Sequence, residues 1–339
     1  MSDYFRPIAQ SDARAPDHAY ALAGNSLIWF DRAERISREG HSEIISATDI
    51  PADVLERLCA PRAMMDGIDP TRPALMGVLN TTPDSFSDGG RFDQLDAGVA
   101  HARAMVAAGA DILDIGGEST RPGAALVPAE EEVARTAPVI SALRAHGITT
   151  PISIDTRKAQ VAAEAVAAGA TMLNDVSALS FDAQMSDIAA QSDLPICLMH
   201  AQGDPKTMQD DPQYDSVLLD VYDYLAQAVE HAVAHGIARE RIIVDPGIGF
   251  GKTQVHNLAL LKGMSLFHGL GCPILLGVSR KRFIGAIGGE PEADKRGPGS
   301  VAVALFGAAQ AVQIIRAHDI DAHRQAFALW GALLGKTQD

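Results

Sequence analysis

The sequence predicts an α/β fold, a (β/α)8 TIM barrel with a short N-terminal extension. Three observations carry that reading. Eight short apolar runs rich in Val, Ile and Leu recur between residues 74 and 318, Ala-rich helical stretches lie between them, and nearly every run closes on a polar residue. Apolar runs flanked by helices are strands of a parallel sheet covered on both faces. Eight such units over roughly 260 residues fit a closed barrel. A doubly wound open sheet is the alternative, but the turn after the first run has no GxGxxG fingerprint.

Residues 1–70 read as an N-terminal extension or small subdomain, and residues 71–339 as the barrel. The extension gathers Tyr4, Phe5, Tyr20, Trp29 and Phe30, alternates in strand fashion over 26–37, and then presents a capped helix at 49–58 with Pro51 in its first turn. The barrel strands are expected at 74–80, 111–117, 152–155, 172–175, 196–200, 242–245, 274–279 and 311–318. Helical stretches fall at 95–108, 130–145, 158–168, 214–234, 257–267 and 300–309.

Composition narrows the function. Hydrophobic residues make up 47% and charged residues 21%, the balance of a globular protein with a core rather than a disordered chain. Forty-three acidic side chains against 28 basic ones leave a net charge of −15, with no concentrated basic stripe. That argues against nucleic acid and against an anionic membrane surface as partners. The most apolar stretch, 300–315, is interrupted by Gln310 and Gln313 and falls short of the roughly 20 residues a membrane span needs. The first residues show no basic region followed by an apolar one. Cys59, Cys197 and Cys272 are scattered and form no CxxC pair, so a reduced, cytoplasmic setting is expected.

The ends of the runs hold the chemistry. In order they offer Asn80; Asp114 with Glu118 beyond; Asp155; Asn174 and Asp175; Met199 and His200; Asp245; Ser279-Arg280-Lys281; and Arg316 with His318. A barrel brings all of them to its C-terminal rim, where such folds place active sites. Strand ends are often polar simply because the chain surfaces there. Carboxylates and amides at nearly every end are harder to explain that way, since burying each costs several kcal/mol unless it is paired. Asp114, Asn174, Asp245 and Lys281 supply acceptors, an amide and a cation, a set suited to a flat heterocycle with alternating donors and acceptors. Arg316 and His318 suit an anion. Asn80 is a candidate oxygen ligand for Mg²⁺, which binds few protein oxygens and keeps several waters.

Two Gly-, Pro- and Ser-rich loops follow the first two strands, TTPDSFSDGG at 81–90 and GGESTRPGA at 116–124. They read as lids over the rim, with Arg121 placed to reach a phosphate. The run DPGIGFGKT at 245–253 imitates a phosphate-binding P-loop, but Pro246 stands where the first glycine is required, so nucleoside triphosphate binding is not expected. Met199 reads equally as core, and His200 as a structural residue. Cys197 and Cys272 lie in apolar strands and read as buried and inert. No HxxxH pair or cysteine cluster points to zinc.

The segments MGVLNTTPDSFSDGG (76–90), DILDIGGESTRPG (111–123), ISIDTR (152–157), LMHAQGDPKTMQ (198–209), VDPGIGFGK (244–252), GVSRKR (277–282) and IRAHD (315–319) resemble those of the dihydropteroate synthase family, in the same order, over residues 74–335. Two departures stand out: Thr81 follows Asn80 where the family often has Val, and RGPGS at 296–300 replaces the usual apolar-Ser-Gly-Ser. The resemblance implies transfer of 6-hydroxymethyl-7,8-dihydropterin from its pyrophosphate to 4-aminobenzoate, giving 7,8-dihydropteroate, a folate-synthesis step that sulfonamides block by mimicking the aminobenzoate. It implies a pterin site of Asp114, Asp155, Asn174, Met199, Asp245, Gly277 and Lys281. The aminobenzoate site would be Phe86, Thr120, Pro122, Phe250, Ser279 and Lys281. Pyrophosphate would meet Asn80, Arg121, Arg316 and His318, with Mg²⁺ on Asn80. The catalytic set would be Asp155, Arg121, Lys281, Arg316 and His318, and the assembly a homodimer. Two other readings compete: a catalytically silent pterin- or folate-binding protein, and a corrinoid methyltransferase using methyltetrahydrofolate. The leaving-group residues and both loops favour the synthase.

Overall fold

The structure is a computed structural model that describes residues 3–11, 15–65, 67–69, 72–81, 91–119, 126–203 and 207–335, the backbone alone over 91–94. The extension forms β1 (Tyr4–Pro7), β2 (Tyr20–Ala21), β3 (Trp29–Phe30), β4 (Arg32–Ile36), β5 (Ser42–Ser46) and α1 (Ala52–Cys59). β1, β4 and β5 make an antiparallel sheet in the order β1-β4-β5, and β2 pairs with β3. The single strand expected over 26–37 is two, interrupted at Asp31. Pro51 is the residue before α1 rather than within its first turn.

The extension has its own small core of Phe5, Leu22, Ile28, Phe30, Ala33, Ile50 and Leu58, which also takes in Ala311, Trp330 and Leu334 of the barrel. Tyr4 packs on Leu219 and Leu266 and donates its hydroxyl to Asp223 at 2.8 Å. Ser265 donates to the carbonyl of Pro7 at 2.7 Å. Arg62, buried, donates to the carbonyl of His268 at 2.9 Å.

The barrel follows as β6 (Ala74–Asn80), α2 (Arg91–Ala107), β7 (Ile112–Gly116), α3 (Ala129–Ala145), β8 (Ile152–Asp155), α4 (Ala159–Ala168), β9 (Met172–Asp175), α5 (Met185–Ser192), β10 (Ile196–Met199), α6 (Val217–Ala234), β11 (Ile242–Asp245), α7 (Gln254–Lys262), β12 (Leu275–Gly277), α8 (Arg282–Gly288), α9 (Gly297–Ala308), β13 (Ile314–Ala317) and α10 (Ile320–Leu333). All eight expected strands are present, and α5, α8 and α10 are helices that the Ala-rich pattern did not mark. The strands pair in parallel in the order β11-β10-β9-β8-β7-β6-β13-β12. A parallel bridge from Val244 to Ile274 joins the two ends and closes the barrel. α9 opens with Pro298 in its first turn, so the unusual RGPGS segment still starts a helix.

Side chains alternate across each strand, which splits the core in two. Leu75, Leu113, Ile115, Ile152, Ile154, Leu173, Leu198, Val244, Leu276 and Ile315 face outward and pack with the helices. Met76, Ile112, Met172, Cys197, Ile243, Leu275 and Ile314 face inward, where Ile68, Met64 and Met65 of the segment entering β6 close the floor.

Candidate active site

The same alternation builds the site. Two residues beyond each floor side chain, the next inward position on the strand is reached. Ile112 leads to Asp114, Met172 to Asn174, Cys197 to Met199, Ile243 to Asp245, Leu275 to Gly277 and Ile314 to Arg316. On β8, buried Ser153 leads to Asp155. A second, largely polar layer thus sits directly on an apolar one.

Arg316 holds its centre. Its Nε donates to Asp114 Oδ2 at 2.6 Å and its Nη2 to Asp155 Oδ2 at 2.9 Å. The side-chain amide of Asn174 donates to both oxygens of Asp114, at 3.3 and 3.4 Å. Burial pushes Asp155 up to about 7, with Asp114 adding to the rise and Arg316 opposing it. Asp245 accepts the Gly247 N–H at 2.7 Å. Burial raises Asp245 to about 6, against the pull of that N–H and of Lys281, Lys252 and Arg316. Gly277 leaves the wall between them open: an added Cβ would stand 3.9 Å from Asp245 Oδ2 and 4.0 Å from Arg316 Cβ.

Lys281 extends over the Phe250 ring, its Nζ 4.2 Å from the centroid. Its stem crosses Gly249, where a Cβ would come within 3.2 Å of Lys281 Cδ. Ser279 lies alongside, its Oγ accepting the His318 N–H at 3.1 Å and meeting His318 Nδ1 at 3.0 Å. Asn80 ends β6 in register with Gly116. Thr81 donates its hydroxyl to the Gly116 carbonyl at 3.1 Å, so the departure from Val is satisfied locally.

The structure thus gathers Asp114, Asp155, Asn174, Asp245, Gly277 and Arg316 in one layer with Met199, and sets Phe250, Ser279, Lys281 and His318 on its edge. Arg316 is bonded to two carboxylates of the layer, Asp114 and Asp155. Phe86, Thr120, Arg121 and Pro122, and the greater part of both expected lids, lie outside the described residues.

Three polar strand-end residues serve the scaffold instead. Asp175 has the opposite parity to Asn174 and accepts the N–H groups of Ser177 and Leu179 at 2.8 and 2.7 Å. His200 packs edge-on against Tyr224, and burial beside Lys252 holds it at about 3, neutral. Glu118 accepts the Val127 N–H at 3.0 Å and Lys158 Nζ at 2.9 Å, and Lys158 also pairs with buried Glu132. Lys158 and Lys252 were not singled out from the sequence. The signal for Lys252 was the Gly-x-Gly-x-Gly-Lys spacing at 247–252, set aside with the P-loop.

A family profile described as "Pterin binding enzyme" matches residues 76–318. The dihydropteroate synthase of Neisseria meningitidis serogroup C is 46% identical over 270 residues, covering 79% of this chain and 94% of that protein. The dihydropteroate synthase of Xanthomonas albilineans with 4-aminobenzoic acid superimposes with a TM-score of 0.74 at 44% identity, covering 78% of this chain and 94% of that one. The Xanthomonas enzyme in complex with 7,8-dihydropteroate gives a TM-score of 0.73 at 40% identity, covering 82% and 100%. The barrel, its polar inner layer and these matches agree: the chain belongs to the dihydropteroate synthase family of pterin-binding enzymes.

Proposed function

We infer that this protein condenses 6-hydroxymethyl-7,8-dihydropterin pyrophosphate with 4-aminobenzoate to give 7,8-dihydropteroate and pyrophosphate. The observation that carries the reading is the layer itself: a buried Asp114–Asn174 pair, Asp155 and Asp245 on four strands, beside a cation stacked on an aromatic ring. Asp114, Asn174 and Asp245 accept from and donate to the edge of a flat pterin. Asp155, standing near neutrality, offers a carboxylate to positive charge that develops on the ring as the leaving group departs. Phe250 and Lys281 receive the arylamine and its carboxylate, with Ser279 beside them. Pyrophosphate is assigned to Asn80, Arg121 and His318, with Arg316 exchanging a carboxylate partner for it. The neutral arylamine needs no strong base to attack a cationic carbon. The sulfonamide sensitivity proposed here follows from the same arylamine site.

Among the described residues no group of three His, Cys, Asp or Glu side chains is placed to hold a metal ion. Asn80, with its one amide oxygen, would be the residue to hold Mg²⁺, an ion that needs few protein oxygens. Such an ion would supply Lewis-acid neutralisation of the leaving group.

Among the described residues no helix is long and apolar enough to cross a membrane. The three cysteines are unpaired, which supports the cytoplasmic assignment. A homodimer through α9 and α10 is supported by Phe306, Leu329 and Leu333, which are 48%, 63% and 84% exposed there. Pyrophosphate release measured with and without 4-aminobenzoate tests the function. Release that depends on the amine is expected. No release would overturn it in favour of a silent binder, and methyl transfer from methyltetrahydrofolate in place of release would overturn it in favour of a corrinoid methyltransferase.

A further inference from the structure

The glycine-rich run after β11 fails as a phosphate loop, yet it is built with unusual constraint. Gly247 has φ of +67°, and a Cβ there would lie 1.8 Å from the carbonyl oxygen of His200. Gly251 has φ of +61°, and its Cβ would lie 2.6 Å from the carbonyl oxygen of Gln202. Both positions exclude a side chain. Gly249 donates its N–H to Asn257 Oδ1 at 2.7 Å and accepts Gln209 Nε2 at 2.5 Å. Tyr214 donates to the Gly251 carbonyl at 2.8 Å.

Lys252 closes this run. Its Nζ donates to the Phe250 carbonyl at 2.9 Å, to His200 Nδ1 at 2.8 Å and to the His200 carbonyl at 3.4 Å. All three acceptors are uncharged, His200 being neutral, and Lys252 is only 3% exposed. Among the described residues it forms no ion pair, and Asp245 acts on it only through space. Burial holds the Lys252 amine well below the ordinary lysine range, so a polar group kept there without a carboxylate bonded to it costs stability relative to an apolar side chain of the same length. What it provides is geometry. The His200 N–H continues the ladder onto the Asp245 carbonyl at 2.9 Å, so Lys252 ties the ends of β10 and β11 to the residue that carries the Phe250 ring.

We propose that Lys252 is a positioning residue for the arylamine: by gripping the Phe250 and His200 carbonyls it fixes the Phe250 ring beneath Lys281, and so sets the affinity for the second substrate. The inference rests on the synthase reading above. Its test is a double-mutant cycle of Lys252→Met and Phe250→Leu, in the full-length chain, with KM for 4-aminobenzoate, kcat, melting temperature and calorimetric Kd for 6-hydroxymethylpterin as readouts. Displacement of a substrate-positioning group by about an ångström costs on the order of 10- to 100-fold. Lys252→Met is therefore expected to raise KM for 4-aminobenzoate by about tenfold or more. The Kd for the pterin should stay within about threefold, since Lys252 makes no hydrogen bond to a side chain of the pterin layer and acts on Asp245 only through space. On the Phe250→Leu background the further rise should be less than about twofold, because the ring through which Lys252 acts is gone. Should Lys252→Met fail to fold, Lys252→Gln goes through the same cycle. A lower melting temperature with unchanged KM, or the same fold-rise on both backgrounds, would overturn the proposal. A parent protein that releases no pyrophosphate overturns the synthase reading, and this inference with it.

Discussion

Asp245→Asn should stabilise the fold and disable the site at once. The carboxyl of Asp245 is raised from 3.8 to about 6, chiefly by burial. A carboxyl that is harder to ionise folded than unfolded favours the folded state fully only while both forms are protonated. As pH rises above 3.8 the unfolded chain ionises first, and stability falls until the folded group ionises near 6. Each pKa step is worth about 1.4 kcal/mol, so the full loss by pH 8 is about 3 kcal/mol, roughly half of it already present at pH 5. Asparagine keeps the acceptor for the Gly247 N–H and cannot ionise. Urea unfolding of parent and variant, followed by circular dichroism between pH 4 and 8, should therefore show curves that diverge upward in pH, the variant gaining by up to about 3 kcal/mol. The variant should meanwhile bind a pterin more weakly by about 1.5–3 kcal/mol, the worth of hydrogen bonds to a charged group. Parallel stability curves would refute the assignment of burial as the dominant influence on Asp245, and an unchanged pterin Kd would refute its place in the pocket.

Arg316→Met leaves Asp114 and Asp155 buried without their cation and should destabilise the ligand-free protein by about 3–5 kcal/mol near pH 8. The loss should shrink toward pH 5, where Asp155 is protonated, and turnover should fall more than pterin affinity; chemical denaturation at the two pH values and steady-state kinetics read both. Gly247→Ala places a Cβ 1.8 Å from a backbone oxygen in a left-handed conformation and should yield protein with a sharply lowered melting temperature or none in the soluble fraction. Chelation with EDTA should abolish pyrophosphate release, and added Mg²⁺ should restore it without changing the melting temperature of the protein alone.

Much of the fold was legible because the barrel strands are buried on both faces and therefore read as apolar runs, such as residues 196–199 and 242–244. What runs of this kind conceal is which residue points inward. Asn174 and Asp175 are adjacent in sequence, and only the two-residue period counted up from Met172 puts Asn174 in the pocket and Asp175 behind it. The same count separates Met199 from His200. The short strands β1, β2 and β5 escaped notice because edge strands of a few residues carry no strong alternation, and β5 is largely exposed. α8 is a seven-residue helix with two glycines, which no propensity would mark. The grip of Lys252 on two carbonyls depends on the path of the backbone, which composition does not encode.

The two inner layers of the barrel oppose each other energetically. The floor, from Met76 to Ile314 and sealed by Met64, Met65 and Ile68, gains from every methylene it hides. The layer above spends part of that gain by keeping Asp114 and Asp245 out of water and Asp155 largely so, with one guanidinium, among the described residues, bonded among them. That cost is also the source of discrimination. A hydrogen bond offered to a dry carboxylate competes with no solvent, so a pterin edge that supplies donors to Asp245 and Asp114 recovers more there than it would at a wet surface. A ring lacking those donors would leave the carboxylates buried and unsatisfied. The apolar floor is thus what permits a selective site to sit on it: remove floor volume, and the first property to fail should be the depth of desolvation that makes the carboxylates discriminating.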